Sequence, residues 1–511
     1  MQARQGAAID KMSITTQSRR QSLTPELAQI NCEIEVYARE YGLDFYETFF
    51  EVLDFEEMNM VAAYGGFPNR YPHWKFGMEY ERLNKSYAYG LHKIYEMVIN
   101  NDPCYAYLLE CNHLVDQKIV MAHVYGHCDF FKNNIWFSKT NRKMMDTMAN
   151  HATKVRKYID KYGLDAVESF IDICLSLDDL IDHHSLFIER KTKLKKEPAE
   201  ASIVRKIAAS DYMDDFINPR EFIEQQKQKI EEEKQKRRRF PENRQKDVLL
   251  FLVESAPLEN WQRDILWMIR EEAYYFAPQG QTKIMNEGWA TYWHAKIMTE
   301  RALNDAEVID FADHHSGTVA AHPGQINPYR LGFELWKDIE DRWNKGKFGK
   351  DYDDCDDYVS QREWDIGLGL GREKIFETRR VHNDITFIDA FFTEEFCHEK
   401  RFFTYQFNPE RGVYEIADRN WKSVKQKLLF SLTNFGQPFI YVTDGNYNNR
   451  GELLMEHRHE GIDLRVDYAK DTLKNLFSIW SRPVHLQTVV EDKGRLFSYD
   501  GDKHSERKTD G

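Results

Sequence analysis

The sequence predicts a mostly α-helical protein, with a large helical N-terminal body followed by a small α/β C-terminal domain that contains a mixed sheet. Two observations lead to this prediction. Over residues 27–191, and again over 247–399 with interruptions, apolar residues recur three and four positions apart and proline is sparse, as in amphipathic helices. After Arg401, apolar and polar residues alternate over short runs bounded by turn residues, as in strands.

The 511 residues are predicted to form four regions, and the change of pattern near residue 400 separates the two folded ones. These are a disordered tail at 1–25, a helical domain at 26–400, a small α/β domain at 401–499 and a second disordered tail at 500–511. Within the helical domain, a charged helical segment is expected near 190–246. Glutamates at 231–233 interrupt its basic run, which favours a solvated helix with Glu–Lys pairs over a nucleic-acid patch.

The C-terminal domain divides further into strands and helices. Five strands are predicted, at 402–407, 412–416, 438–442, 453–457 and 485–490. Two helices are predicted between them, at 420–432 and 468–480. Strands separated by helices in this way predict a small α/β layer structure.

The composition excludes several classes of protein. The chain has 70 basic and 84 acidic side chains and a formal charge of −14, which argues against general nucleic-acid binding. No run of apolar residues is long enough for a membrane span, so none is expected. The seven cysteines form no CxxC pair, which is typical of reduced thiols in a cytoplasmic protein.

The clearest local motif is His123-Val-Tyr-Gly-His127. Residues four apart on a helix lie on one face, so both imidazoles are able to bind a single divalent ion such as Zn²⁺. The alternative is a pair of core histidines that only form hydrogen bonds. Zinc peptidases with an HExxH motif carry a glutamate after the first histidine, whereas this chain has Val124, so a hydrolytic base must come from elsewhere.

A second motif supplies more candidates. Asn-Glu287-Gly-Trp-Ala is similar to the string that carries the third zinc ligand of gluzincin aminopeptidases, so Glu287 is a predicted ligand. His294 is a further candidate at the metal site and lies two helical turns later on the same face. This spacing favours a group that supports a ligand, or a ligand of a second metal ion, over a second ligand of the same ion. The imidazoles of 313–315 and His322 are interpreted mostly as loop residues near a pocket.

Three carboxylates are candidates for orienting the attacking water: Glu271, Glu272 and Asp129. The two glutamates are expected at the end of a helix that Pro278 breaks, where acidic groups face an unfavourable dipole and need a partner. That partner is either a metal ion or an arginine of the same helix.

Several long strings carry a resemblance to a known family. They are residues 123–134, 212–219, 261–265, 282–294, 327–332 and 384–389, and they resemble the SpoVR family, named for stage V sporulation protein R. The resemblance runs from about residue 27 to about 499. It implies a link to spore cortex formation or to stress and stationary-phase physiology, and partnership with an AAA-type serine protein kinase and a von Willebrand-A-like protein. It implies no settled catalytic residues.

Two hypotheses remain open. In the first, the chain is a cytoplasmic metal-dependent hydrolase, similar to a peptidase or amidase, with His123, His127 and Glu287 as metal ligands. In the second, it is a non-catalytic regulatory or scaffold protein of the kinase pathway, and the His/Glu cluster is a structural hydrogen-bond network.

Overall fold

The structure is a computed structural model that describes residues 21–88, 95–188, 240–321 and 324–509, together with Pro219, Glu224 and Gln228. The chain clusters into two compact units. The first takes its residues from Met1–Tyr162 and Tyr275–Gly436, and the second from Gly163–Tyr274 and Gln437–Gly511. The second unit therefore combines the C-terminal part of the chain with a segment from its middle.

Helices dominate the described residues and confirm the predicted fold class. In chain order they are α1 (Pro25–Glu40), α2 (Phe55–Ala63), α3 (Trp74–Ala88), α4 (Leu114–Asn133), α5 (Met144–Tyr162), α6 (Leu164–Leu175), α7 (Val248–Ser255), α8 (Asn260–Gln281), α9 (Lys283–Ile297), α10 (Val308–Thr318), α11 (Pro328–Lys345), α12 (Lys350–Asp353), α13 (Tyr358–Arg362), α14 (Gly371–Val381), α15 (Asp384–Phe391), α16 (Glu394–Glu399), α17 (Trp421–Leu432) and α18 (Val466–Trp480).

The strands form three sheets. They are β1 (Gln21–Ser22), β2 (Thr48–Leu53), β3 (Glu96–Ile99), β4 (Cys104–Leu109), β5 (Thr404–Asn408), β6 (Val413–Asp418), β7 (Phe439–Tyr447), β8 (Glu452–Arg458), β9 (Val484–Val490), β10 (Lys493–Tyr499) and β11 (His504–Lys508). The sheet orders are β1-β2-β4-β3, β5-β6 and β11-β10-β9-β8-β7. The five-stranded sheet is mixed, as predicted, because β8 and β9 are parallel while its other pairs are antiparallel.

The sheet of the first unit was not expected within a helical body. Its central strands β2 and β4 run parallel, with Thr48 opposite Cys104 and Leu53 opposite Leu109. Both strands are short, largely apolar runs, and periodicity does not distinguish such a run from a turn or two of buried helix.

The C-terminal sheet begins later than the predicted boundary. The hairpin of β5 and β6 pairs only with itself among the described strands and clusters with the first unit. The five-stranded sheet starts at Phe439 rather than near residue 401. The alternating pattern after 401 thus covers two separate sheets.

Parts of the two expected tails are ordered. Gln21 and Ser22 pair with β2, and α1 already begins at Pro25. At the other end, β11 pairs antiparallel with β10 and extends the five-stranded sheet. Residues 1–20 and almost all of the predicted charged helix near 190–246 lie outside the described residues.

The core of the first unit forms where α4, α9 and α11 pack together. Large buried side chains fill it, among them Trp289, Trp293 and Trp336. A Cβ added at Gly126 of α4 would lie 2.7 Å from the Cα of Ala290 in α9, so glycine is needed for these helices to approach this closely. Their contact brings the two predicted metal-binding motifs together.

No helix among the described residues is long and apolar enough to cross a membrane.

Candidate metal centre

Helix α4 presents both histidines of the HxxxH motif. It is buried along almost all of its length, which explains why its sequence is apolar on every side. The rings of His123 and His127 lie 4.6 Å apart between centroids, at an interplanar angle of 85°. Both side chains are buried, at 5% and 6% exposure. The helical spacing predicted from the sequence is therefore present, with both imidazoles pointing into the unit.

Glu287 of α9 faces these two rings. Its Oε2 atom lies 3.7 Å from Nε2 of His123 and 3.5 Å from Nε2 of His127. One ligand atom from each of the three residues lies within 4.8 Å of the other two. Atoms bound at about 2.0–2.2 Å to one tetrahedral ion lie about 3.3–3.6 Å apart. The His127 distance of 3.5 Å lies within this range, and the His123 distance of 3.7 Å lies just above it.

The Glu287 carboxylate has an unsatisfied oxygen. Among the described residues, its buried Oε2 accepts no hydrogen bond, although buried polar atoms in proteins nearly always have a partner. Burial acts to raise the pKa of Glu287, but interactions with His123, His127 and Tyr329 outweigh it and hold the pKa below its ordinary value. An ionised oxygen with no donor, facing two imidazole nitrogens, fits a cation.

Asn286 fixes the orientation of His127. The Nδ1 atom of His127 lies 2.9 Å from Oδ1 of Asn286. Because an amide oxygen only accepts, Nδ1–H donates this bond and the lone pair of the ring remains on Nε2, towards Glu287. Burial lowers the pKa of His127 to about 4, which keeps the imidazole neutral and able to bind a metal ion.

His294 lies beside His123 and outside the converging group. Its Nδ1 atom is 3.0 Å from Nδ1 of His123, and its Nε2 atom is 3.1 Å from Nδ1 of His315. Burial holds the pKa of His294 well below its usual value. Of the two predicted roles, this geometry fits a group that supports a ligand. The prediction of a loop at 313–315 is wrong, because these residues belong to α10.

The chain also matches known proteins over most of its length. A family model described as "SpoVR like protein" matches residues 21–437, and one described as "SpoVR-like C-terminal domain" matches residues 438–491. The chain belongs to the SpoVR family. It is similar to "Uncharacterized protein YcgB" of Escherichia coli (strain K12), with 31% identity over 493 residues, 90% of this chain and 91% of the relative. No solved structure matches it.

Two residues of this SpoVR protein join the site although the motif analysis did not select them. Glu96, the first residue of β3, interacts electrostatically with His123 and Glu287, and burial raises the pKa of its carboxyl. The ring of Tyr329 stacks on His123 at 6.1 Å and 25°, and its hydroxyl interacts with the Glu287 carboxylate. Tyr329 lies in one of the SpoVR strings, whereas Glu96 lies in a strand that the sequence did not predict.

Asp129 has a structural position. It lies two residues after His127, about 200° around the helix, and is fully buried. Its oxygens accept from Nη1 of Arg379 at 2.5 Å, from Nε1 of Trp289 at 2.8 Å and from the N–H of Asp44 at 2.8 Å. These contacts engage the Asp129 oxygens with other parts of the fold, and its role in orienting a water molecule stays a prediction.

Glu271 and Glu272 lie in the part of α8 that clusters with the second unit. The converging group of ligand atoms is formed without them. Their helix continues through Pro278 to Gln281, so the predicted break at the proline is wrong. Proline removes the backbone N–H that would bond to the carbonyl one turn earlier, and only three residues of the helix follow it. His322 lies outside the described residues.

Proposed function

We propose that this SpoVR protein binds one divalent metal ion through His123, His127 and Glu287, and that it is a metal-dependent hydrolase. The observation that supports the proposal most strongly is the buried Oε2 of Glu287, which faces two imidazole nitrogens at 3.5 and 3.7 Å and accepts no hydrogen bond among the described residues. Two imidazoles and one carboxylate are the protein ligands of catalytic zinc sites that keep a position open.

A divalent ion at such a site polarises a carbonyl group and lowers the pKa of a water molecule. The residues of the chain then have distinct tasks. The three ligands hold the ion, and Asn286 holds the Nε2 lone pair of His127 towards it.

Glu96 is the proposed general base. It is absent from the group whose ligand atoms converge, yet it is close enough to interact electrostatically with His123 and Glu287. Its partly buried carboxyl has a raised pKa, which is the property that a group exchanging protons near neutral pH requires. In this role a carboxylate oxygen of Glu96 takes the proton of the attacking water, and so replaces the glutamate that HExxH enzymes have where this chain has Val124.

Tyr329 is the proposed electrophilic partner. Its hydroxyl interacts with the Glu287 carboxylate, and its ring lies against His123. A phenol at this position is able to donate a hydrogen bond to an oxygen that gains negative charge. The likeness of 286–290 to the gluzincin string favours an amide bond, as in a peptide, as the bond that is cleaved.

Metal analysis of the purified full-length chain tests this proposal. We expect about one equivalent of bound metal, lost in His123→Ala and His127→Ala while the helical circular dichroism is retained. Glu96→Gln is expected to keep the metal and to lose hydrolysis of amide substrates. A folded chain that takes up no divalent metal rules the proposal out. Bound iron would point to another reaction class, because Fe(II) oxygenases use the same ligand set.

A non-catalytic scaffold role is the second candidate, and Val124 is the observation that favours it, because the usual base of HExxH enzymes is missing. In this reading the chain acts with an AAA-type serine protein kinase and a von Willebrand-A-like protein, in the cytoplasm, during sporulation or stress. Co-purification with the kinase that survives His123→Ala and is lost on removal of the C-terminal sheet would support it. A kinase that binds neither form would argue against it.

A further inference from the structure

Three imidazoles form a continuous hydrogen-bonded chain that leads away from the candidate metal centre. They come from three different helices: His123 from α4, His294 from α9 and His315 from α10. The contacts are Nδ1 to Nδ1 at 3.0 Å for the first pair and Nε2 to Nδ1 at 3.1 Å for the second. His294 is 2% exposed, so water has little access to its ring nitrogens.

The order of donors in this chain follows from the chemistry of imidazole. A neutral ring has one N–H and one lone pair, so each ring donates on one side and accepts on the other. If His123 keeps the lone pair of Nε2 for a metal ion, its Nδ1–H donates to Nδ1 of His294. The N–H of His294 is then on Nε2 and donates to Nδ1 of His315. The acceptor nitrogen of His315 therefore determines which nitrogen of His294 carries the hydrogen.

Loss of the acceptor on His315 would remove this order. His294 would then be free to place its hydrogen on Nδ1, where it would meet the Nδ1–H of His123 at 3.0 Å. Relief of that clash moves the hydrogen of His123 to Nε2, the nitrogen that faces Glu287. A ring with Nε2–H has no lone pair left for a metal ion.

The geometry points to His315 as a positioning residue of the metal centre, which acts through His294 to hold the His123 lone pair on Nε2. This inference rests on the proposed metal site. The packing of His315 supports it, since the ring stacks on Phe311 at 13° and meets Phe333 edge-on, with centroid distances of 5.5 and 5.2 Å. These contacts hold Nδ1 of His315 towards His294.

The adjacent His314 provides a matched control. It lies on the same helix and bonds to α4, as His315 bonds to α9, through Nδ1 of His314 and Oδ1 of Asp116 at 2.8 Å. It makes no hydrogen bond to the three-imidazole chain among the contacts of the described residues. Replacement of His314 therefore removes a comparable bond between α10 and α4 and leaves the donor order unchanged.

The experiment measures Zn²⁺ affinity by competition with a chelating dye, on the full-length chain and on four variants: His315→Phe, His315→Leu, His315→Asn and His314→Phe. Phe and Leu remove the acceptor, and two such variants guard against misfolding of one. We expect each to weaken Zn²⁺ binding by about tenfold to a hundredfold, as for other groups that orient a ligand. Asn, whose Oδ1 still accepts, is expected to stay within about threefold of the wild type, and His314→Phe to be unchanged.

A second readout follows the tautomer itself. Nitrogen NMR of ¹⁵N-histidine-labelled, metal-free protein is expected to show hydrogen on Nδ1 of His123 in the wild type and in His315→Asn, with a second tautomer appearing in His315→Phe. An unchanged affinity in both His315→Phe and His315→Leu overturns the inference, as does an equal loss in His314→Phe. Wild-type protein that binds no Zn²⁺ overturns the proposed metal site and this inference together, whereas zinc binding that is insensitive to residue 315 overturns the inference alone.

Discussion

Each unit contains a buried cluster of histidine and glutamate, and the two clusters differ in how their carboxylates are satisfied. In the second unit, Oε2 of Glu452 accepts from Nδ2 of Asn448 at 2.9 Å and from Nε2 of His485 at 3.1 Å, while Arg450 pairs with Oε1 at 2.8 Å. His485 is bonded on its other side to Ser498 at 2.7 Å. In the first unit, Oε2 of Glu287 has no such donor among the described residues.

The difference shows that burial alone does not identify a binding site. Burial lowers the pKa of His485 as it does that of His127. The clusters differ in whether a donor hydrogen points towards each oxygen of the glutamate. In the Glu452 cluster every donor has found its acceptor, so the network is complete without a ligand. In the Glu287 cluster two imidazole nitrogens face a carboxylate oxygen that accepts no hydrogen bond among the described residues, and a bound cation would satisfy this arrangement.

The largest expected effect comes from a change at the buried, hydrogen-bonded carboxylate of Asp129. Asp129→Asn leaves the buried guanidinium of Arg379 without its ionised partner. We expect a loss of about 3–5 kcal/mol in the free energy of unfolding, because removal of one member of a buried ion pair strands the other. Chemical denaturation followed by tryptophan fluorescence measures it. A change below about 1 kcal/mol would mean that this carboxylate is not the structural group described here.

The same change of carboxylate to amide at Glu287 should act on metal binding and spare the fold. Loss of one ligand should cost about a third of the roughly 10 kcal/mol of a tight zinc site, or on the order of 10²–10³-fold in Kd. Without metal, Glu287→Gln should change the free energy of unfolding by less than about 1 kcal/mol, because Oε2 accepts no hydrogen bond and the amide oxygen of glutamine can still accept from Tyr329. Isothermal titration with Zn²⁺ and denaturation of the metal-free protein give the two numbers. A large loss of stability with unchanged Zn²⁺ affinity would show that Glu287 has a structural role and does not bind the metal.

Glu452→Gln is the matched change in the second unit. It weakens charge-assisted bonds to Arg450 and His485, and we expect a loss of about 1.5–3 kcal/mol in stability. Metal content should be the same as in the wild type, and mass spectrometry of the purified variant checks this. Loss of a bound metal in Glu452→Gln would show that the metal binds in the Glu452 cluster and not at Glu287.

Asn286→Ala tests the support of a ligand rather than the ligand itself. Without the acceptor at 2.9 Å, the Nδ1–H of His127 is no longer fixed. We expect Zn²⁺ affinity to fall by about 10–100-fold with all three ligands still present. Asn286→Asp keeps an acceptor and serves as the control. Equal affinities in the Ala and Asp variants would remove Asn286 from the account.

A further expected effect is a dependence of stability on pH in the second unit. His457 accepts from or donates to Oγ1 of Thr488 at 2.8 Å, and burial lowers its pKa to about 4. In the unfolded chain the pKa is about 6.5, so between pH 6.5 and 4 the unfolded state binds a proton that the folded state does not. Stability should therefore fall as the pH falls through this window and level off below it.

His457→Gln should flatten that part of the profile and leave the profile above pH 7 parallel to the wild type. Thermal unfolding at a series of pH values between 4 and 8 gives the comparison. If stability depends on pH equally in the wild type and in His457→Gln, the dependence comes from the titration of another group.

Much of the candidate metal centre could be predicted from the sequence because its parts are local. His123 and His127 are four apart on one helix, and Glu287 and Asn286 are neighbours in one string. Their meeting depends on the contact of α4 with α9, which Gly126 permits. No local pattern identifies that contact.

The remaining groups were missed or misplaced for the same reason. Glu96 enters from a strand whose short apolar context did not separate it from helix, and His315 enters from α10. Asp129 looked like a site residue because it is near His127 in sequence. Its side chain points elsewhere, towards Arg379, 250 residues away in the chain. Spacing along one helix predicts faces, whereas partners between distant segments depend on the tertiary packing.

The most direct test of the central claim is X-ray absorption spectroscopy of the full-length protein loaded with one equivalent of Zn²⁺. The account predicts two imidazole nitrogens and oxygen ligands at about 2.0–2.2 Å, with the imidazole signal reduced in His127→Ala. A zinc spectrum that is unchanged by both His127→Ala and Glu287→Gln, or a folded wild type that retains no zinc, would contradict it.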